Sequence, residues 1–249
     1  MPNPIPGASD APLHTTVTFG RARRSASMAG SSLPVLMRVS IAIYATLICL
    51  LSGRLLAAAV QTAIPTDPAA VEPLAVGDRA PEFTVRQTDG TVFVFNPNRL
   101  ERPHVLIFYC GGWCPYCNAR LNDLGHVEVK LRDSGFAILF LSNHRPELLY
   151  SSLKAADIRY TPLSDNHLQA AEAFHIAYHL DDTAIARQRE FGVDLERTTG
   201  TKQHELPVPS VFIIDRSGTI RFVNSNPEYT VRLGAGALWA AASPFARVQ

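Results

Sequence analysis

From residue 76 onward the apolar positions gather into short blocks separated by polar turns, and the blocks alternate between strand-like and helix-like spacing. Thr84-Val85-Arg86 and Thr91 to Phe95 flank Thr88-Asp89-Gly90, and Asp-Gly between two β-rich runs predicts a hairpin. Val105 to Tyr109 is a continuous apolar run and reads as a buried strand. The segment Asn118 to Arg132 reads as an amphipathic helix. Cys117, Leu121, Leu124 and Leu131 fall on one stripe of it, with Arg120, Asp123, Glu128, Lys130 and Arg132 mainly elsewhere. Phe136 to Leu141 has the unbroken apolar character of a strand covered on both faces. Pro146 to Ala156 predicts a helix, Ile158 to Leu163 a short strand, and Asn166 to Phe174 another helix. Residues 177–206 read as an insertion carrying loops, with a polar helical candidate near Asp181 to Phe191. Pro209 to Asp215 predicts a strand, Arg216-Ser217-Gly218 a turn, Thr219 to Asn224 the hairpin partner, and Gly234 to Ala242 a closing helix. Alternating strands and helices ending in a hairpin predict an α/β fold: a central mixed sheet flanked by helices, with an N-terminal hairpin.

The first quarter follows a different pattern. Residues 1–37 mix Pro, Gly, Ser and Ala with Arg21, Arg23 and Arg24 and show no hydrophobic period, the profile of a disordered segment. Val39 to Leu51 is almost wholly apolar, with Arg38 before it and Ser52-Gly53-Arg54 after it, and Ala57-Ala58-Ala59 follows. That run is shorter than the ~20 residues that span a bilayer, and with its Ala-x-Ala end it reads as a signal-peptide core or a membrane anchor. Residues 1–60 are therefore expected to be a disordered N-terminus with a leader, 61–73 a Pro- and Ala-rich linker, and 74–245 the folded domain. Its location is expected to be extracytoplasmic, soluble or tethered by residues 38–60, and cytoplasmic if the start is misassigned; a start at Met28 or Met37 gives the leader ordinary signal-peptide proportions.

Composition narrows the function. The formal net charge of the 249 residues is +1, which gives no electrostatic footprint for nucleic acid. Three of the four cysteines, Cys110, Cys114 and Cys117, lie within eight residues, and Cys49 sits in the apolar run as a small hydrophobe. A disulfide-stapled scaffold spreads its cysteines, so this clustering points to a reactive or metal-binding site. Tyr109-Cys110-Gly111-Gly112-Trp113-Cys114-Pro115-Tyr116-Cys117 carries a Cys-x-x-Cys pair between a buried strand and a helix. A thiolate in a helix's first turn faces unpaired N–H groups and the positive end of the macrodipole, which lowers a thiol pKa from about 8.5 to roughly 3.5–7.5. Cys114 is then the nucleophile. Cys117, one turn on, is placed to attack a mixed disulfide or sulfenic acid on Cys114, and Pro115 suits a helix start.

Three motifs in order resemble the peroxiredoxin-like branch of the AhpC/TSA (alkyl hydroperoxide reductase/thiol-specific antioxidant) family, over residues 74–243. They are Gly77 to Phe83, Gly111 to Asn118, and Leu206 to Asp215 with Gly218 and Arg221 after it. The resemblance implies a thioredoxin-like fold and reduction of hydrogen peroxide or organic hydroperoxides, recycled by a thioredoxin-type dithiol reductant. Cys114 takes the peroxide-attacking position and Cys117 the resolving one, with Trp113, Pro115 and Pro209 in support. The chain departs from typical peroxiredoxins in four places. Gly111 stands where a Thr normally polarises the peroxide and Ile107 where a Pro is usual. Pro209 stands where peroxiredoxins place an Arg, and it matches the cis-proline of thioredoxins, so the Val208–Pro209 bond is expected to be cis and against Cys114. Cys110 replaces an Arg of the branch and adds a third thiol.

Two other readings share these residues. An exported thioredoxin-like oxidoreductase acting on protein disulfides would use the same pair. Cys110-x3-Cys114-x2-Cys117 also has the spacing of radical enzymes that hold an iron–sulfur cluster. Zinc generally takes four ligands and the histidines are scattered, so no metal or other cofactor is expected. His126, His167, His175 and His179 read as solvated or satisfied side chains, Trp113 as packing as much as contact, and Arg221 as a surface strand arginine as readily as a visitor to the site.

Overall fold

The structure, a computed structural model, describes residues 63–109, 111, 115–149, 161–228, 231 and 233–247, with the backbone only for 115–122. Along the chain these residues form β1 (Phe83–Gln87), β2 (Val92–Phe95), β3 (His104–Tyr109), α1 (Pro115–Asp133), β4 (Ala137–Ser142) and β5 (Thr161–Ser164). Then come α2 (Gln169–Ala173), β6 (Ala177–His179), α3 (Asp182–Glu190), α4 (Leu195–Thr199), β7 (Glu205–Pro207), β8 (Ser210–Ile214), β9 (Ile220–Ser225) and α5 (Ala235–Ala242). Seven strands make one mixed sheet in the order β2-β1-β5-β4-β3-β8-β9. β3, β4 and β5 run parallel, while β8 lies antiparallel to β3 and β9 antiparallel to β8. The unit β3-α1-β4 followed by the β8-β9 hairpin and α5 is the thioredoxin-like arrangement.

The central strands are buried on both faces, and alternation along them feeds two cores. Val105, Ile107 and Tyr109 of β3 join Ile138 and Phe140 of β4, Leu124, Val127 and Leu131 of α1, and Leu238 and Ala242 of α5. The intervening Leu106, Phe108, Leu139 and Leu141 join Phe83, Val85 and Phe95 of the hairpin and Ala170, Ala171 and Phe174 around α2. Each fully buried Leu, Ile or Phe contributes about 1.5–3 kcal/mol of transfer free energy, so the pattern that made these strands legible also holds the sheet between its helices. On α1, Leu124 and Leu131 are buried as the stripe required, but Glu128 is buried too, at 6% exposure. Its Oε1 accepts from Arg132 Nη1 at 2.9 Å one turn away, and that charge partner allows a carboxylate on the covered side.

The hairpin turns where Asp-Gly predicts it. Gly90 takes φ +82°, its N–H donates to the Gln87 carbonyl at 3.0 Å, and Asp89 Oδ1 accepts from the Thr91 N–H at 2.9 Å. The Gly77 to Phe83 motif is architectural. Gly77 N–H donates to Ile220 O, Ile220 N–H to Asp78 O, and Ala80 N–H to Gly218 O, each at 2.9 Å. Arg79 donates to Ser217 O and to Asn98 Oδ1, tying this stretch to the β8–β9 turn and to the segment before β3.

Three segments differ from the sequence reading. Residues 177–206 are not loops around one helix: β6 and β7 pair antiparallel as a second sheet, α3 and α4 lie between them, and Leu180, Ile185, Val193, Leu195 and Leu206 form a core of their own. The helix expected from Asn166 begins only at Gln169, because Asp165 caps it from outside, accepting the N–H groups of Ala170 and Ala171 at 3.0 and 2.9 Å. The stretch ahead of the domain packs rather than spanning free: Ile64, Val71 and Leu74 rest on the second core, and His179 N–H donates to Pro65 O at 2.8 Å. The helix expected at Pro146 is helical over 146–149, and the remainder of that prediction, with residues 158–160 of the next strand, lies outside the described residues.

Candidate active site

The register of the sheet fixes where the redox turn starts and ends. Tyr109, the last residue of β3, pairs with Ser142, the last of β4, and α1 begins at Pro115, so the Cys-bearing turn leaves and rejoins the described chain at the carboxyl edge of the parallel strands. That edge is where open α/β sheets bind ligands. Gly111, the described residue within the turn, is buried and has φ +135°, a conformation that favours glycine. The turn therefore has a backbone reason for Gly111, separate from the missing threonine hydroxyl. Cys117 lies in the first turn of α1. Cys110, Trp113 and Cys114 lie outside the described residues, as does Cys49.

Pro209 comes to the same edge. Ser210 pairs with Phe108, so Pro209 sits one step beyond it, level with the end of β3. Its surroundings are held by Val208 N–H donating to Ile176 O at 2.7 Å and by Ser210 Oγ donating to Val208 O at 2.7 Å. Arg221 does not come to this edge. Its Nε donates to Asp215 Oδ2 at 2.6 Å beside the β8–β9 turn, and Ile214 on that side pairs with His104 at the opposite end of β3. The surface reading of Arg221 holds.

The histidines weighed from the sequence are peripheral: His126, His167 and His175 are exposed, and His179 lies 3.8 Å from Glu205 across the β6–β7 pair. Among the described residues the buried histidine is His144, at 4% exposure just past β4, where burial pushes its pKa down to about 4. It belongs to a buried polar group on the carboxyl edge with Ser142, Asn143, Ser164 and Asp165. Asp165 N–H donates to Ser142 O at 2.7 Å, Ser164 Oγ to His144 O at 2.6 Å, and His144 N–H to Ser142 Oγ at 3.3 Å. Burial pushes the Asp165 carboxyl up to about 7, against the two N–H groups it accepts. Two more bonds carry the group to the insertion: Asn166 Nδ2 donates to Thr199 O and Arg145 N–H to Thr198 O, both at 3.0 Å. Nothing in the sequence periodicity marks this group, since Ser-Asn-His-Arg and Ser-Asp-Asn read as ordinary loops. A signal was nonetheless present in their position, each directly after a predicted strand, and the structure shows those strands to be parallel.

A wider surface hollow of about 500 Å³ lies among Phe93, Phe95, Arg99, Glu101, Arg102 and His104. It is at the amino end of β3, the edge opposite the redox turn. Among the described residues no group of three or more His, Cys, Asp or Glu could hold a metal ion.

Comparison with known proteins agrees with this geometry. The sequence profile of the AhpC/TSA family matches residues 76–223. Peroxiredoxin Bcp of Escherichia coli K12 is 29% identical over 107 residues, which is 43% of this chain and 67% of that protein. Among solved structures, a peroxiredoxin-like protein from Aquifex aeolicus superposes with a TM-score of 0.55 at 19% identity, covering 70% of this chain and 89% of its own. Peroxidoxin BcpB from Mycobacterium tuberculosis gives 0.52 at 16%, covering 69% and 96%. These likenesses are to a thioredoxin-like α/β sheet and leave the iron–sulfur radical reading without support. With its profile match spanning the hairpin, the redox turn, α1 and the β8–β9 strands, the chain belongs to the AhpC/TSA family.

Proposed function

We propose that this protein is a thiol-dependent peroxidase that reduces hydrogen peroxide or organic hydroperoxides through a Cys114/Cys117 dithiol–disulfide cycle. The family match over residues 76–223, with the Cys-x-x-Cys turn joining β3 to the first turn of α1, carries this reading. Attack needs a thiolate, and the start of α1 supplies unpaired N–H groups and the favourable end of a 19-residue helix dipole. The Cys114 thiolate attacks one peroxide oxygen, the O–O bond breaks, and the departing oxygen takes a proton and leaves as water or an alcohol. The sulfenic acid on Cys114 condenses with the Cys117 thiol, expelling water and forming the disulfide. An external dithiol such as a thioredoxin then reduces it by exchange. Pro209, on the same sheet edge, is placed to line the approach of that partner.

Stopped-flow oxidation of the reduced protein by hydrogen peroxide, beside a protein disulfide, tests the proposal. Peroxide is expected to be the faster oxidant. Cys114→Ser abolishes turnover with every oxidant, while Cys117→Ser permits one round and leaves a trapped sulfenic acid or mixed disulfide. A Cys114→Ser variant that keeps activity, with Cys110→Ser losing it, moves the nucleophile to Cys110. Faster reaction with the protein disulfide makes the chain a disulfide oxidoreductase instead.

A further inference from the structure

β2 (Val92–Phe95) is an outer strand of the main sheet, and among the described residues no strand pairs with its other side. The ladder fixes which of its groups are left open. Gln87 N–H donates to Thr91 O at 2.8 Å, so Gln87–Thr91, Val85–Phe93 and Phe83–Phe95 are the hydrogen-bonded pairs of the hairpin. Val92 and Val94 fall between them and turn their N–H and C=O groups away from β1. Their side chains are 58% and 52% exposed. An open edge is ordinarily blunted by a lysine, a proline, a bulge or an inward charge, and Val-Phe-Val-Phe has none of these.

A groove runs beside that edge. Phe93, Val94, Phe95 and Asn96 all line the hollow of about 500 Å³ at the amino end of β3, and consecutive strand residues, whose side chains alternate, share one hollow along the strand's edge. The far wall carries Arg99, Glu101 and Arg102, all exposed and without an ion pair among the described residues. The turn that carries this wall is pinned. Asn98 N–H donates to Asn96 Oδ1 at 2.8 Å, Arg99 N–H to Asn96 O at 3.1 Å, and Arg79 to Asn98 Oδ1. At the other end of β2 the hairpin tip carries charges of complementary sign. Asp89 is exposed, its Oδ1 accepting from the Thr91 N–H and hydroxyl at 2.9 and 2.6 Å, and Arg86 Nη1 donates to Gly90 O at 2.9 Å.

We propose that β2 is a self-association edge, at which two copies of this chain pair antiparallel about a two-fold axis at Phe93, each hairpin tip seated in the other's groove. The inference does not depend on the peroxidase reading. One register uses every open group. Val92 meets the partner's Val94 and Val94 the partner's Val92, each pair exchanging both N–H···O bonds, with Phe93 opposite the partner's Phe93. The valines of the two copies then cover one another on the face they share with Thr84 and Arg86. Antiparallel travel carries the partner's Thr91, Gly90 and Asp89 past Phe95, Asn96 and Pro97 into the groove. There the tip's Asp89 meets Arg99 and Arg102, its Arg86 meets Glu101, and the two-fold axis makes each contact twice. This charge complementarity favours a second copy over a foreign peptide, because both halves belong to one hairpin and its flank. A strand edge of 4 residues with one turn buries less than the ~800 Å² a side of a standard interface, so the dimer is weak and forms as concentration rises.

The test follows full-length protein by sedimentation velocity and amide exchange at increasing concentration, in a mild detergent that keeps the apolar run Val39 to Leu51 from associating. A monomer–dimer equilibrium is expected for the wild type. The Val92 and Val94 amides gain protection as the dimer forms, while those of Phe93 and Phe95, already bonded to β1, change little. Val94→Lys, which puts a lysine on the open edge at an exposed position, is expected to weaken dimerisation at least about tenfold. Should that variant not fold, Asp89→Asn keeps the acceptor for Thr91 and removes the charge at the tip. It is expected to weaken the dimer about threefold or more, a difference that vanishes at high salt. A wild type that stays monomeric up to millimolar concentration overturns the inference. A dimer of unchanged strength in the variants also overturns it, since association then uses another face. Val92 and Val94 amides protected in a monomer at every concentration overturn it as well, because the edge is then covered within one chain.

Discussion

His144 and Asp165 follow the paired residues Ser142 and Ser164, and burial drives their ionisations in opposite senses. Burial lowers His144 from 6.5 to about 4, so the unfolded chain takes up this proton before the folded one as pH falls. Stability is lost as pH drops through that window. Burial raises Asp165 from 3.8 to about 7, so the folded state keeps this proton longer, and stability is lost as pH rises between those values. The two windows overlap and the effects oppose each other, which predicts a shallow net contribution in the wild type. Removing either group unmasks the other. Asp165→Asn is expected to make stability climb more steeply with pH over about 4–6.5, and His144→Gln to make it fall more steeply over the same range. Urea midpoints of the three proteins across that range measure this. An Asp165→Asn slope equal to wild type would mean that the N–H groups of Ala170 and Ala171 hold the carboxylate ionised in the folded protein.

At the scale of elements, the insertion between β6 and β7 is the part with its own core, and its stability is predicted to be separable. Leu206, 2% exposed on β7, packs with Leu180, Ile185, Val193 and Leu195. Leu206→Ala removes about 2–5 kcal/mol from such a core. Because that core is small and distinct from the two around the main sheet, the loss is expected to appear first as amide exchange across 177–207, with β3 and β4 still protected. Loss of protection in β3 at the same rate would show that the insertion and the sheet open together. The insertion also shows where sequence reading stopped. β3, β4 and β8 announced themselves through unbroken apolar runs, and the hairpin through Asp89-Gly90, all signals contained within one short window. β6 and β7 are three residues each and pair across 25 intervening positions, so neither window carries a period. The start of α2 was misplaced for a related reason: its cap comes from Asp165, and Leu168 at φ +55° breaks the helical run that composition had extended back to Asn166. Of the residues proposed above for the site, Cys114, Cys117 and Pro209 were legible because a motif encodes them. The buried polar residues Asn143 and His144 were not, since the register between two strands is what brings them to the carboxyl edge.

Thr62–Gln249 forms one compact unit, and the Ala57-Ala58-Ala59 stretch that reads as the end of a leader precedes it in the sequence. Among the described residues no helix is long and apolar enough to cross a membrane, and the apolar run Val39 to Leu51 lies outside them. We propose that this run directs the chain out of the cytoplasm and that the mature protein begins near residue 60 or stays tethered there. The consequence for chemistry is direct. In an oxidising compartment a Cys114–Cys117 disulfide is not returned to the dithiol by the cytoplasmic pool, so the reductant has to act on the same side of the membrane as the domain. Cell fractionation with N-terminal sequencing of the expressed full-length protein is expected to find it outside the cytoplasm, either shortened to about residue 60 or intact in the membrane fraction. Thiol-labelling of that material should show the pair oxidised when no exported dithiol is supplied and reduced when one is. Intact soluble protein in the cytoplasm, with the pair reduced by the resident thioredoxin, would place both the enzyme and its reductant on the other side.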